Sequence, residues 1–263
     1  GVPDRPTPSL LRGFSAPVKV HYDYEDDALM LLMAHDADGF NRWDAAQLLA
    51  QRVILRRVAD PAAPLPAGFV RAFGQALTDA AADRALLAEV LALPGESYLA
   101  DQMAQVDVDG IHRAREGVKT ALAAALRDDL LAVHAACSAT GPYDIEPASI
   151  GRRSLGNLAL GYLMQHPDAQ VVALCLGQYR AAHNMTDVMA ALALIADSEL
   201  PERGEVLADF RARWQHDPLV MDKWFAVQAT TRHPETLARV QALLSDPAFS
   251  IRNPNKVRSL IGA

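Results

Sequence analysis

At 263 residues, half of them apolar but only 6% aromatic, the chain can bury a sizeable core of small aliphatic side chains, a mixture that favours close-packed helices over a β-rich architecture. A net charge of −7 without any basic run argues against a nucleic-acid partner, since phosphate binding needs clustered Lys and Arg. The longest apolar runs fall well short of the ~20 residues of a membrane span, so no membrane partner is expected either.

Residues 1–12 carry Pro3, Pro6 and Pro8 and read as an extended linker. From Phe14 to Tyr24 the pattern turns to strict alternation. Phe14, Ala16, Val18, Val20, Tyr22 and Tyr24 stand on one side, and Ser15, Pro17, Lys19, His21 and Asp23 on the other. This period of two predicts a half-buried strand, with Pro17 marking an edge. No comparable strand follows, and a lone strand cannot pair its backbone. Its sheet partners are therefore expected outside this chain, in a longer polypeptide.

Beyond Tyr24 the period is helical. Asp26 and Asp27 open a first helix through Leu29, Leu32 and Met33, acidic residues being favourable in a first turn. A second is expected from about Arg42 to Arg57 and a third around Phe69, Phe73 and Leu77. A fourth, near Asp83 to Leu93, is stopped by Pro94-Gly95. The longest is expected from Asp109 to Cys137, with Ile111, Val118, Leu122, Leu126, Leu130 and Val133 along one stripe. Gly141-Pro142 then breaks the chain before a helix bearing Leu155, Leu158 and Leu163. Further on, prolines recur near helix starts at Pro167, Pro201 and Pro234, 34 and 33 residues apart, with Pro218 midway in the last interval. A helical hairpin fills each interval. The fold class is accordingly mainly α: an irregular α-solenoid, or superhelix, of antiparallel helix pairs with a short N-terminal β segment.

The last helix is expected to begin after Asn253 with Pro254 at its first position, where no amide donor is needed. Val257, Leu260 and Ile261 then form an apolar ridge, with Lys256 and Arg258 as a small cationic face pointing elsewhere. Nothing follows to cover the ridge, a second expectation of a longer polypeptide.

Tests for chemistry come out empty. No two of the eight histidines are closer than 14 residues, so no HExxH or other i, i+4 zinc pair exists and no metal ligand is assigned. There is no GxSxG elbow and no Gly-rich phosphate loop. Cys137 lies three residues after His134, but amphipathic helix packing accounts for that spacing, and no catalytic residue is assigned. Cys137 and Cys175 read as buried reduced thiols. Two stretches look over-specified for plain scaffold. In NMTDVMAALA (Asn184 to Ala193), Asn184 or Thr186 can cap a helix. PLVMDKWF (Pro218 to Phe225) carries an Asp222-Lys223-Trp224 cluster. On the residues alone, Arg258 reads as the partner of a neighbouring carboxylate.

Five blocks in order, SLLRGFSAPVKV (Ser9 to Val20), RWDAAQ (Arg42 to Gln47), NMTDVMAALA, VMDKWF and NPNKVRSLIGA (Asn253 to Ala263), resemble the bacterial aminopeptidase N family of zinc metallo-aminopeptidases, which remove single residues from peptide N-termini. The resemblance spans essentially the whole chain. It implies that residues 1–24 end a preceding β-sandwich domain and that residues 25–263 form most of a C-terminal helical domain. The zinc-binding catalytic domain, with its HExxH and downstream glutamate, would then lie outside this chain, which would bind no zinc itself and be inactive alone. Its partners would be the catalytic and β-sandwich domains of the same polypeptide, together with peptide substrates lying in the cavity the helical domain closes over. In the family an arginine of the last block reaches that cavity and contacts bound peptide, and Arg258 matches it. The implied location is cytoplasmic. The rival reading is an α-solenoid that binds protein partners on a concave face.

Overall fold

The computed structural model describes residues 6–18, 20–138 and 141–263, which divide into two compact units at Pro167/Asp168. In the first, a short 3-10 turn (Arg12–Phe14) precedes α1 (Asp26–His35), α2 (Gly39–Ala59), α3 (Ala67–Leu77), α4 (Arg84–Leu91), α5 (Glu96–Ala100), α6 (Val108–Ala125), α7 (Arg127–Cys137) and α8 (Pro147–Leu163). The second holds α9 (Ala169–Ala181), α10 (Met185–Ala196), α11 (Arg203–Trp214), α12 (Pro218–Ala229), α13 (Thr236–Leu243) and α14 (Pro254–Leu260). No strand forms among the described residues.

Helix starts follow from short polar side chains placed one residue ahead. Asp38, Asp83, Asp107, Asp168, Asn184, Asp217 and Asn253 each accept a hydrogen bond from a backbone N–H of the first turn they precede. Each such cap satisfies an otherwise orphaned donor and is worth about 1 kcal/mol. Pro147, Pro218 and Pro254 occupy first-turn positions of α8, α12 and α14, where the missing N–H costs nothing.

In the first unit α2 is the central helix, packed by α1, α4 and α6, while α8 lies against α4 and α7. Leu49 and Ile54 of α2, Phe69 and Phe73 of α3 and Leu91 of α4 are fully enclosed. The Phe73 ring meets Tyr162 edge-on at 5.5 Å, and the Tyr162 hydroxyl donates to the Leu91 carbonyl at 2.7 Å. That bond satisfies the one polar atom of the buried ring. Arg42 is buried as well. Its Nε and Nη2 donate to the Met33 and Ala34 carbonyls at the end of α1, and Nη1 reaches Asp79 at 2.8 Å. One guanidinium thereby closes the C-terminus of α1, whose last carbonyls lack helical partners.

The second unit is a run of antiparallel neighbours: α9 on α10, α10 on α11, α11 on α12, then α13 and α14 both on α12. Phe210 and Phe225 are fully enclosed. Trp224 donates its indole N–H to the Leu207 carbonyl at 2.9 Å, and Tyr179 donates to Asp209 at 2.7 Å. The proline spacing thus marks helical pairs as expected, with each proline just before or at the first residue of a helix.

Three expectations are corrected. The stretch from Phe14 to Tyr24 is not a strand in this chain, and Lys19 within it lies outside the described residues. Phe14, its first residue, has left-handed backbone (φ 47°), as do Leu11 and Gly13 in the turn just before it (φ 52° and 66°), far from strand geometry. The segment is tied down by side chains instead of a ladder. Gly13 N–H donates to Asp38 at 2.7 Å, Arg12 pairs with Asp36 at 3.0 Å, and Asn41 donates to Ser9 Oγ at 2.8 Å. Phe14, Val18 and Val20 remain exposed. Second, the long helix expected from Asp109 to Cys137 breaks at Leu126 (φ −116°, ψ 22°). There Leu126 fits against Gly74 of α3, where an added Cβ would meet its Cδ2 at 3.0 Å. The break rotates the buried face, so α7 encloses Leu130, His134 and Cys137 and leaves Val133 only half-buried. Third, α14 ends at Leu260 and Ile261 is exposed, so the apolar ridge is Leu260 with a half-buried Val257.

Candidate functional site

The block NPNKVRSLIGA forms α14 and its flanks. Asn253 Oδ1 accepts from the Asn255 N–H at 3.0 Å, and Pro254 starts the helix. Lys256 and Arg258, expected to share one cationic face, are separated by the structure. Lys256 is buried: its Nζ donates to the Pro218 carbonyl at 2.7 Å and lies 2.7 Å from Asp222 Oδ1. The directed hydrogen bond goes to the carbonyl, so the Asp222 contact is mainly charge against charge. The same ammonium sits 5.6 Å from the Phe225 ring centre, and Phe225 in turn packs edge-on against Phe249. Lys256 is therefore the bolt that fixes α14 to the N-terminal turn of α12. Sequence reading placed it on the surface because a helix of seven residues shows too few turns to fix its faces.

Arg258 lies two residues on, exposed, with no hydrogen bond or ion pair among the described residues. The carboxylate partner that the residues alone suggested for Arg258 is not found among the described residues. A rigid helix thus presents a permanently charged, planar donor group whose five N–H groups are unengaged.

The over-specified stretches resolve into scaffold. Asn184, not Thr186, caps α10, accepting from the Asp187 N–H at 2.9 Å. Within PLVMDKWF, Asp222 faces Lys256 and Trp224 is enclosed. Both cysteines are free and buried. Burial pushes the Cys137 thiol up, with Arg84 and Arg152 only partly opposing it, and the Cys175 thiol is pushed up to about 12. Thiols so placed are poor nucleophiles. No three His, Cys, Asp or Glu side chains gather into a metal-binding group among the described residues. The donor set for a zinc ion is thus not met here, and no step of chemistry is routed through one.

A family model described as a domain of unknown function (DUF3458_C) with ARM repeats matches residues 26–263. The chain belongs to this family. Its ARM-repeat region covers α1 to α14, the same span that helical periodicity outlined. Curated relatives are similar over nearly the whole chain. The chain is 40% identical over 264 residues (99% of this chain) to aminopeptidase N of Caulobacter vibrioides, and 38% identical over 263 residues (98%) to aminopeptidase N of Escherichia coli. It spans 30% of the length of each of these curated relatives. The crystal structure of Legionella pneumophila aminopeptidase A in complex with aspartic acid superposes with a TM-score of 0.86 at 29% identity, over 98% of this chain and 31% of that one. The ARM-repeat segment therefore resembles one part of larger aminopeptidases.

Proposed function

We propose that this chain is the C-terminal helical domain of an aminopeptidase N that uses zinc in another domain to release N-terminal residues from peptides. The observation that carries the reading is the identity of 38–40% to proteins named aminopeptidase N, extending over essentially every residue of this chain. In this reading residues 1–24 complete a preceding β-sandwich domain. The exposed Phe14, Val18 and Val20 support it, since their alternation suits a strand whose sheet is supplied by other residues of the polypeptide. The ARM-repeat helices cap the catalytic domain and line the cavity that receives the substrate. The free, buried thiols support a cytoplasmic setting, where reducing conditions keep cysteines unpaired.

Arg258 is the proposed peptide contact. Once the first residue of a substrate is held at the metal, the remainder offers carbonyl oxygens and finally a carboxylate. An unengaged guanidinium can donate to both. Lys256 positions it by anchoring α14. The test is Arg258→Ala in the longer polypeptide, assayed on tripeptides and on single-residue chromogenic amides. KM for the peptides should rise by about tenfold, a loss of about 1.4 kcal/mol, while the amides change little. Equal losses on both substrates would mean that Arg258 acts on stability or on the metal-proximal subsite.

A further inference from the structure

Helices α11 to α13 and the loop before α11 border a second feature that none of this uses. A cavity of about 480 Å³ lies among them, within the range of small-molecule sites. Four of the groups lining it carry or can carry positive charge, Arg203, Arg211, Arg239 and His233, against one carboxylate, the exposed Glu199. Three of these have carboxylate partners. Arg211 pairs with Asp246 at 3.0 Å, Arg239 with Glu235 at 3.2 Å, and His233 Nε2 lies 3.2 Å from Glu199.

Arg203 is the exception. It is only 5% exposed, its Nε donates to the Ala196 carbonyl, and neither Nη1 nor Nη2 has an acceptor among the described residues. Nη2 is moreover shut off from solvent, and so is Nη1 of Arg239 across the same cavity, again with no partner. The adjacent Glu202 does not line the cavity and forms no ion pair among the described residues, although its Oε2 is likewise buried without a partner. A guanidinium cannot shed its proton to escape burial. Enclosing it without a counter-ion is strongly unfavourable, and enclosing two donor nitrogens without acceptors compounds the cost. Both side chains line the cavity, and an oxyanion with several acceptor oxygens would supply what the two enclosed nitrogens lack once the guanidinium groups turn to face it. The remaining wall, with Leu200, Leu207 and Trp224, is apolar and suits a ligand with a hydrocarbon body.

We propose that this cavity binds a small organic anion, with its carboxylate or phosphate head at Arg203 and Arg239 and its apolar body against Leu200, Leu207 and Trp224. The site is separate from Arg258 and does not depend on the aminopeptidase reading.

The test is isothermal titration of the full chain with benzoate, with inorganic phosphate and with neutral benzamide. Benzoate or phosphate should bind at millimolar concentration or below, and benzamide should not. Tighter binding of benzoate assigns a carboxylate ligand, tighter binding of phosphate a phosphorylated one. Arg203→Met and Arg239→Gln should each weaken binding of the preferred anion about tenfold or more. Because Arg203 is buried, Arg239→Gln on the more open side serves if the first variant is poorly folded. The saturating anion should also raise the thermal midpoint of the unmodified chain. If neither anion binds at about 10 mM, or if both variants bind as the unmodified chain does, the cavity holds only water and the proposal fails.

Discussion

Replacing Lys256 with Met keeps the aliphatic stem and deletes the ammonium. The lost partners are specific: Asp222 Oδ1 and the Pro218 carbonyl, each 2.7 Å from Nζ, and the Phe225 ring beneath it. The lysine side chain is 6% exposed and that of Asp222 19%, so water can only partly take over from the missing charge. Breaking a fully buried pair by removing one partner costs about 3–5 kcal/mol. The residual exposure of Asp222 puts this case lower, at about 2–3 kcal/mol. With a urea dependence of about 2 kcal/mol per molar, the midpoint of the unfolding phase that includes α12 and α14 should fall by about 1–1.5 M. The double variant Lys256→Met, Asp222→Leu should recover most of that loss, because no carboxylate is then left stranded. A Lys256→Met chain within about 0.5 kcal/mol of the original, the range of ordinary surface changes, would show that α14 is not held by this contact. A double variant no more stable than the single one would show that packing, not charge, sets the cost.

Two further outcomes follow from titrating groups. Burial raises the Asp26 carboxyl, but hydrogen bonds from Arg56 (2.7 Å) and Arg52 (3.0 Å) outweigh it and hold the group below the ordinary carboxylate range. The pairing therefore contributes stability above the unfolded value of about 4 and loses it as pH falls through the lower folded value. Asp26→Asn should cost about 1 kcal/mol at pH 7 by urea titration, with the difference shrinking towards zero on acidification; a cost independent of pH would remove charge as its origin. Cys175, with a thiol pKa of about 12, should resist a disulfide reagent at pH 8 in the folded chain and react promptly in denaturant. Rapid modification without unfolding would mean that the helix pair α9–α10 opens readily.

What the sequence showed plainly was local and periodic. Asp26-Asp27, Asp83, Asn184, Pro218 and Asn253-Pro254 begin helices where their chemistry says they should, because a cap depends only on the next few residues. The 33- and 34-residue proline spacing likewise reported repeat length. Readings that depended on distant partners fared worse. Period-2 alternation from Phe14 to Tyr24 describes a segment suited to a sheet, yet no strand forms among its described residues, and the turn that leads into it is held by Asp38 through the Gly13 N–H. At the bend Leu126 packs against Gly74, a residue distant in sequence, and no such contact can be read from the residues around Leu126. Lys256 and Arg203 look like ordinary surface cations in the sequence, and only the packing of α12 against α14 and of α11 against α10 encloses them. Arg258 was singled out by resemblance alone. What the fold adds is that Arg258 is exposed and engages no carboxylate among the described residues.

The carboxylate of Asp38 works in two directions at once. Oδ1 caps α2 through the Asn41 N–H while Oδ2 holds the Gly13 N–H of the incoming segment. Because the tasks fall to different oxygens, tension on the leading segment can pull Gly13 free while the helix keeps its start. The cap of the central helix of the first unit therefore does not depend on the anchoring of the segment that leads into it.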